Sequence, residues 1–251
     1  DNLTVPVLSG IILYFLLQSP DNGVYQMLMA IVLGFLAAFI SVKLKYLTQS
    51  GGVTAFILAS ILYGFGGWKW TVPILTFFVL SSILSKLGRH KTENIFDKGS
   101  QRDHTQVLAN GGIPALFLIL QVLHPEPAFY FAHLGALAAA TADTWATEIG
   151  MRIGQRPRLI TTLKKVPAGT SGGITLGGSI GAFLGALILA FSGLPYLFPL
   201  LFTHISAVLI VISFSGLIAS FVDSLLGATF QVQYRCPVCQ KITEKKFHCH
   251  Q

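Results

Sequence analysis

The sequence predicts an all-α fold, a polytopic transmembrane helical bundle of about seven to eight membrane segments. Hydrophobic residues make up 53% of the 251 residues and charged residues only 11%, whereas about a quarter of an ordinary soluble domain is charged. The apolar residues also gather in runs of about 20, the length that a helix needs to cross a bilayer. A soluble fold of this length could not bury so much apolar surface, so the soluble classes are excluded.

Measured against that length, the chain divides into eight apolar segments with approximate bounds. They cover residues 3–18, 24–44, 51–66, 70–87, 105–123, 127–150, 172–192 and 195–231. The first segment has no basic residues ahead of it, so we interpret it as a span rather than a signal peptide. The last is long enough for a span and a second, broken or re-entrant piece. We expect one transmembrane domain over residues 1–232 and a cytoplasmic tail over 233–251.

Basic residues are distributed unevenly about these segments. With eight crossings, all of the 17 Lys and Arg except Lys69 fall on one side of the membrane. Cytoplasmic loops are enriched in Lys and Arg, so the pattern predicts cytoplasmic termini and cytoplasmic large loops in a bacterial or similar inner membrane. Orientation and attraction to anionic lipid then account for the net charge of +7, and we expect no nucleic-acid partner.

Three carboxylates interrupt otherwise apolar segments, namely Asp143, Glu148 and Asp223. An ionisable group at the centre of a spanning helix costs on the order of 2.5–3.5 kcal/mol, so it usually marks a functional site. The alternative is that each acid lies at headgroup level and is simply solvated. The context of Asp223 favours a site, because small and polar residues recur around it at helical spacing. These residues are Gly216, Ser220, Ser224, Gly227 and Gln231. Helix packing through small residues explains the glycines and serines but not the carboxylate.

A glycine-rich stretch over residues 164–178 runs from a basic loop into an apolar helix. It begins with Lys164 and Lys165, and its centre is Thr170, Ser171, Gly172 and Gly173. Free backbone N–H groups at a helix start, with hydroxyls and lysines nearby, suit the binding of phosphate oxygens. The lysines precede the glycines, so this is not a Walker A motif. Close helix packing through the glycines is the alternative.

A further polar stretch places Arg102 and Asp103 just before the segment at 105–123 and Asn110 within it. The asparagine suggests a polar cavity reached from the cytoplasm, although interhelical hydrogen bonding would also explain it. All of these features fall on the predicted cytoplasmic side. Carboxylates that could hold Mg²⁺, together with lysines and a glycine-rich helix start, are suited to binding a nucleoside triphosphate.

Four motifs in this order resemble the DUF92 (TMEM19-like) membrane proteins, and the resemblance covers nearly the whole chain. They are QVLANGG at 106–112, DTWATEIG at 143–150, PAGTSGGI at 167–174 and SFVDSLLGATFQ at 220–231. That family includes plant and cyanobacterial phytyl-phosphate kinases, and it is distantly similar to dolichol and phytol kinases and to CDP-diacylglycerol synthase, which use CTP.

The resemblance implies a membrane kinase that converts a prenyl monophosphate such as phytyl phosphate into the diphosphate, a step toward tocopherol. It implies CTP as the donor, with ATP as the alternative. It also implies that Asp143, Glu148 and Asp223 are metal or phosphate-site residues. Lys164, Lys165 and residues 170–173 would contact phosphates. The acceptor oxygen is already anionic, so positioning and charge neutralisation can provide the rate without a strong base.

The C-terminal tail carries a candidate structural zinc site. Its residues are Cys236, Cys239, His248 and Cys249, which have the residue types and paired spacing of zinc ligands. A disordered, reduced tail is the alternative. The end at Gln251 suggests that further ligands lie beyond it.

Two other functions compete with the kinase. A transporter of an anionic or lipid-linked substrate would also use acids inside the membrane and glycine-broken helices. It would need an acidic route to both faces, and the non-cytoplasmic turns carry only Asp21 and Glu126. Cytidylyl transfer to a lipid phosphate would use the same site and differs in which phosphorus is attacked. The sequence does not decide the lipid, the nucleotide base or the oligomeric state.

Overall fold

The computed structural model of the protein describes residues 23–87, 101–153, 156–201, 204–231, 234–235 and 242–243, and only positions 6, 9–10, 12–14 and 17 before them. The long helices of this part of the chain are α1 (Gly23–Lys43), α2 (Gln49–Leu87), α3 (His104–Leu123), α4 (Pro127–Arg152), α5 (Leu176–Leu201) and α6 (Ile205–Thr229). Short antiparallel pairs join β1 (Arg158–Leu159) to β2 (Gly173–Ile174) and β3 (Tyr234–Arg235) to β4 (Ile242–Thr243).

The all-α membrane architecture predicted from the sequence is confirmed. Helices α1, α2, α3, α5 and α6 are each long and apolar enough to cross a membrane. Helix α2 has 39 residues and covers two predicted segments, with its break at Gly67, where φ is +62°. Glycine adopts this left-handed conformation at little cost, so the predicted boundary near residues 66–70 is explained. The predicted first segment, 3–18, lies largely outside the described residues.

The predicted boundary between the last two segments is wrong. Helix α5 continues through residues 192–195 to Leu201, and α6 then runs unbroken over Ile205–Thr229. The Ser192 hydroxyl donates to the Leu189 carbonyl at 2.6 Å, so this polar residue is satisfied within the helix and does not end it. The described part of the last predicted segment is therefore divided between the end of α5 and the whole of α6, and α6 itself is one continuous helix.

The chain forms two compact units. Unit 1 comprises Asp1–Leu75 and Gln101–Ala136, and unit 2 comprises Thr76–Ser100 and Leu137–Gln251. The boundaries fall within α2 and α4, so each of these helices contributes to both units.

In unit 1, polar side chains bind backbone carbonyls that irregular helix geometry has freed. The Gln26 amide donates to the carbonyls of Tyr63 and Gly64 at 3.0 and 2.9 Å, one turn before the break in α2. Pro73 has no N–H to offer the carbonyl of Lys69, and the Tyr130 hydroxyl donates to that carbonyl at 3.1 Å instead. Membrane helices tolerate breaks when other groups satisfy the freed backbone in this way.

His133 occupies the centre of unit 1 and is 0% exposed. Its Nδ1 lies 3.2 Å from the Pro114 carbonyl and its Nε2 lies 3.1 Å from the Trp70 carbonyl. Its ring also packs against Trp70 at a centroid distance of 4.7 Å and against Tyr130 at 6.1 Å. This histidine therefore joins α2, α3 and α4 within the unit and is surrounded by backbone carbonyls and aromatic rings.

The same unit brings the turn after α1 to the residues before α3. The Arg102 N–H donates to the Tyr46 carbonyl at 3.0 Å, and the Thr48 N–H donates to the Arg102 carbonyl at 3.1 Å. Asp103 caps α3, because its carboxylate accepts a hydrogen bond from the Gln106 N–H at 2.9 Å. These two basic loops thus lie at one end of the unit, as the predicted alternation of spans requires.

The core of unit 2 depends on small residues that let helices approach closely. A Cβ on Gly216 of α6 would lie 2.8 Å from the Ala186 Cβ of α5 and 2.9 Å from the Ala138 carbonyl oxygen of α4. The buried face of α4 in this unit includes two alanines, Ala138 and Ala142, both 0% exposed. Such packing leaves no space between the three helices at the level of Gly216.

Candidate active site

A cavity of about 800 Å³ lies within unit 2, where α4 and α6 end and α5 begins. The segment that leads from β1 through the glycine-rich stretch to α5 covers it. Its polar and glycine lining residues include Asp143, Thr147, Arg156, Lys165, Thr170, Ser171, Gly172, Gly173, Thr175, Ser179, Ser220, Asp223, Ser224, Gly227 and Gln231. Many of the residues predicted from the sequence therefore meet in one place.

The lining of the cavity includes a pair of carboxyl groups. Asp143 from α4 and Asp223 from α6 approach closely enough for a hydrogen bond between their side chains. Two carboxylates at this distance repel each other when both are ionised, so a cation or a shared proton stabilises the pair. Mg²⁺ is commonly held by one or two carboxylates with phosphate oxygens and water as its other ligands. The donor set of this pair fits that use.

Glu148 does not join the pair, contrary to the expectation of three converging carboxylates. It is five residues after Asp143 on α4, and five residues turn a helix by about 140° relative to the starting position. Glu148 is not among the residues that line the cavity, and its Oε2 is buried without a hydrogen-bond partner. Within the described residues, no group of three or more His, Cys, Asp and Glu side chains could hold a metal ion.

The glycine-rich stretch is held directly against α6. Gly172 has φ of +74°, and a Cβ there would lie 2.4 Å from the Ala228 Cβ and 2.7 Å from the Ser224 carbonyl oxygen. The Ser171 hydroxyl contacts the Gln231 side-chain oxygen, and the Ile160 N–H donates to the Gly172 carbonyl at 2.9 Å. The loop is therefore positioned from two sides, and only glycine fits position 172 without displacement.

The start of α5 also faces the cavity. Thr175 precedes this helix, and its hydroxyl accepts a hydrogen bond from the Gly178 N–H at 3.0 Å. Thr175, Gly178 and Ser179 all line the cavity. The first turn of a helix carries partial positive charge from its N–H groups, which favours an anion in front of it.

Two basic side chains line the cavity, and one of them is not among the predicted site residues. Lys165 lines the cavity as predicted, whereas its neighbour Lys164 is exposed and is not part of the lining. Arg156 joins Lys165 because residues 157–159 pair with residues 164–166: the Val166 N–H donates to the Pro157 carbonyl and the Leu159 N–H to the Lys164 carbonyl, both at 2.9 Å. The spacing of the basic residues along the chain carries no sign of this pairing.

Two further predicted site residues lie outside the cavity, and four fall outside the described residues. Arg102 and Asn110 belong to unit 1 and are not among the residues that line the cavity. Cys236, Cys239, His248 and Cys249 fall outside the described residues, so the zinc site stays a prediction. The described strands β3 and β4 pair on either side of residues 236–241.

Comparisons with known proteins assign the chain to a family. The model of the family "Integral membrane protein DUF92" matches residues 32–251. Protein PGR of Arabidopsis thaliana is 33% identical over 247 residues, covering 88% of this chain and 84% of that protein. The uncharacterized membrane protein MJ0933 of Methanocaldococcus jannaschii is 35% identical, covering 75% and 76%.

A more distant relative is Protein VTE6, chloroplastic, of Arabidopsis thaliana, which is 25% identical over 74% of this chain and 56% of its own length. No solved structure matches. The four motifs that resemble this family include those that contribute Asp143, Gly172 and Asp223 to the cavity. The chain belongs to the DUF92 family of integral membrane proteins.

Proposed function

We propose that this protein is an integral membrane kinase that transfers the γ-phosphate of a nucleoside triphosphate to an isoprenoid monophosphate, such as phytyl phosphate, and releases the diphosphate. The observation that carries the proposal is that Asp143 and Asp223 meet in one cavity with Lys165, Arg156 and the glycine-rich loop. The resemblance of the motifs to phytyl-phosphate kinases supports the prenyl acceptor and CTP as donor, with ATP as the alternative. We place the cavity on the cytoplasmic face, following the basic loops.

The two sides of the cavity have complementary charges for this reaction. The Asp143–Asp223 pair would hold Mg²⁺, which offsets the charge of phosphate oxygens when it is bound. Lys165, Arg156 and the start of α5 would bind the phosphates from the other side. An oxygen of the prenyl phosphate then attacks the γ-phosphorus, the bond from that phosphorus to the β-γ bridging oxygen breaks, and the nucleoside diphosphate leaves.

No side chain has to act as a strong base in this step, because the attacking phosphate oxygen is already anionic. The protein's contribution is to hold the two phosphates in line and to offset the charge between them. This agrees with a cavity that offers carboxylates, cations and backbone N–H groups and that has no histidine or cysteine among the described residues lining it.

Product analysis tests the proposal. The full chain in lipid nanodiscs is incubated with Mg²⁺, a panel of prenyl monophosphates, and CTP or ATP labelled at either the α- or the γ-phosphate. We expect γ-label in a prenyl diphosphate, release of the nucleoside diphosphate, and loss of turnover when EDTA removes the metal. Transfer of α-label with release of pyrophosphate would instead identify a cytidylyltransferase. The absence of turnover with every acceptor would reject a transferase and make transport assays the next step.

A further inference from the structure

The carboxylate of Asp223 lies at the boundary between the cavity and the outer surface of α6. Ser220, Ser224, Gly227 and Gln231 lie on the cavity side of this helix. Asp223 also lines the cavity, yet it is exposed, so no described residue closes the cavity over it. An exposed carboxylate on a membrane helix is costly unless it faces polar surroundings or a ligand. The cavity is therefore open to the side at this point.

Large apolar side chains border the opening. Leu226 and Phe230 follow Asp223 by three and seven residues, the spacing that places side chains on one strip of a helix. Leu226 is 49% exposed and Phe230 is 80% exposed. In a membrane helix this surface faces hydrocarbon or the lipid interface. The phosphate of a lipid bound in the cavity would therefore lie next to the apolar strip formed by Leu226 and Phe230.

Among the described residues, the route from the cavity along α6 toward Gly216 is closed to a hydrocarbon chain. Ser220, the cavity residue one turn before Asp223, is only 4% exposed. One turn further, Gly216 packs so closely that an added Cβ would lie 2.8 Å from the Ala186 Cβ and 2.9 Å from the Ala138 carbonyl oxygen. A tail attached to a phosphate in the cavity cannot continue inward between these helices, whereas the side of α6 at Asp223 is open.

We infer that the acceptor enters from the lipid, and that its tail lies along the Leu226–Phe230 strip of α6 while its phosphate occupies the cavity. This inference rests on the proposed function and adds which surface recognises the tail. The strip then sets the preference for a long-chain acceptor, since each buried methylene of the tail contributes to binding. A short acceptor uses the cavity alone.

The chain provides a matched control for this surface. Leu225 is the same residue type as Leu226, lies at the same depth, and is 44% exposed. It is two residues after Asp223, which places it about 160° away from the carboxylate around the helix. A Leu225→Ser change therefore alters apolar exposure on α6 to the same degree without touching the strip.

The experiment compares phytyl phosphate with dimethylallyl phosphate, a five-carbon acceptor, in nanodiscs. Leu226→Ser and Phe230→Ser are each expected to lower kcat/KM for phytyl phosphate roughly tenfold through KM, to leave dimethylallyl phosphate unaffected, and to keep kcat. Leu225→Ser is expected to change neither. Thermal stabilisation by phytyl phosphate without nucleotide is measured in parallel and should weaken in the two strip variants only.

The outcomes separate this inference from the proposed function. Wild-type turnover with equal loss in Leu226→Ser and Leu225→Ser, or with no loss in either, would overturn the tail path and leave the kinase standing. A third pattern would retain the tail path and overturn the kinase. In it, phytyl phosphate stabilises the wild type, Leu226→Ser but not Leu225→Ser reduces this stabilisation, and no turnover is observed. A wild type that neither binds nor phosphorylates phytyl phosphate would overturn both.

Discussion

Three polar side chains in the helices of unit 1 bind backbone carbonyls of neighbouring helices, whereas two carboxyl side chains in the helices of unit 2 line an open cavity. In unit 1, Gln26, Tyr130 and His133 each contact carbonyls of another helix, and several of those carbonyls are free because of a kink or a proline. In unit 2, Asp143 and Asp223 face each other beside an 800 Å³ space. A polar residue in an apolar segment can thus have either a structural role or a role in a ligand site. Whether it contacts a backbone carbonyl or a cavity distinguishes the two.

These two sets of side chains differ in residue type for a chemical reason. A freed carbonyl needs a donor, and an amide, a phenol or an imidazole supplies one without carrying a full charge into the membrane. A carboxylate cannot donate when ionised, so it cannot serve this purpose. Carboxylates inside membrane helices therefore indicate a ligand more strongly than do Gln, Tyr or His.

The largest effect is expected from the carboxylate pair. Asp143→Asn and Asp223→Asn should each lower γ-phosphate transfer by on the order of 100-fold or more, because the pair loses the charge that balances the metal and phosphates. Transfer is measured with labelled nucleotide, and thermal unfolding in detergent should show intact folding. Asp103→Asn is the control in unit 1, where asparagine also caps a helix well. A wild-type rate in either cavity variant would remove these acids from the mechanism.

A smaller loss of activity is expected from the loop that covers the cavity. Gly172→Ala should reduce transfer roughly tenfold, because the left-handed backbone costs about 1–2 kcal/mol for alanine and the added Cβ collides with α6. The control is Gly112→Ala in α3, where a Cβ meets nothing within 4 Å and alanine favours the helix. Equal rates for the two variants would mean that the position of the loop does not matter for transfer.

The smallest effect on turnover is expected from His133, although its effect on stability should be large. His133→Ala removes a side chain that is 0% exposed and its two carbonyl contacts, which should cost about 2–4 kcal/mol. Activity per folded molecule should stay close to that of the wild type. Unfolding is followed by SDS titration, with the exposed His124→Ala as control. Loss of transfer in a variant that remains folded would show that unit 1 takes part in the chemistry.

Several features of the cavity could be predicted because they depend only on residues that are close together in the sequence. The carboxylates stand out against apolar segments, and the lysine-led glycine stretch lies next to a predicted helix start. The exclusion of Glu148 follows from helix geometry alone, since a spacing of five residues separates it from Asp143 by about 140°. Arg156 could not be predicted, because the backbone pairing of residues 157–159 with residues 164–166 brings it to Lys165.

By itself the sequence determined the membrane class, the approximate bounds of most of the described helices, and which residues are too polar for lipid. Those properties follow from composition, periodicity and the cost of charge in hydrocarbon, all of which act within one segment. Only the tertiary structure decided that Asp143 and Asp223 meet and that Gln26 and His133 bind carbonyls of other helices. These outcomes depend on close helix contacts between residues distant in sequence, and no local pattern contains them.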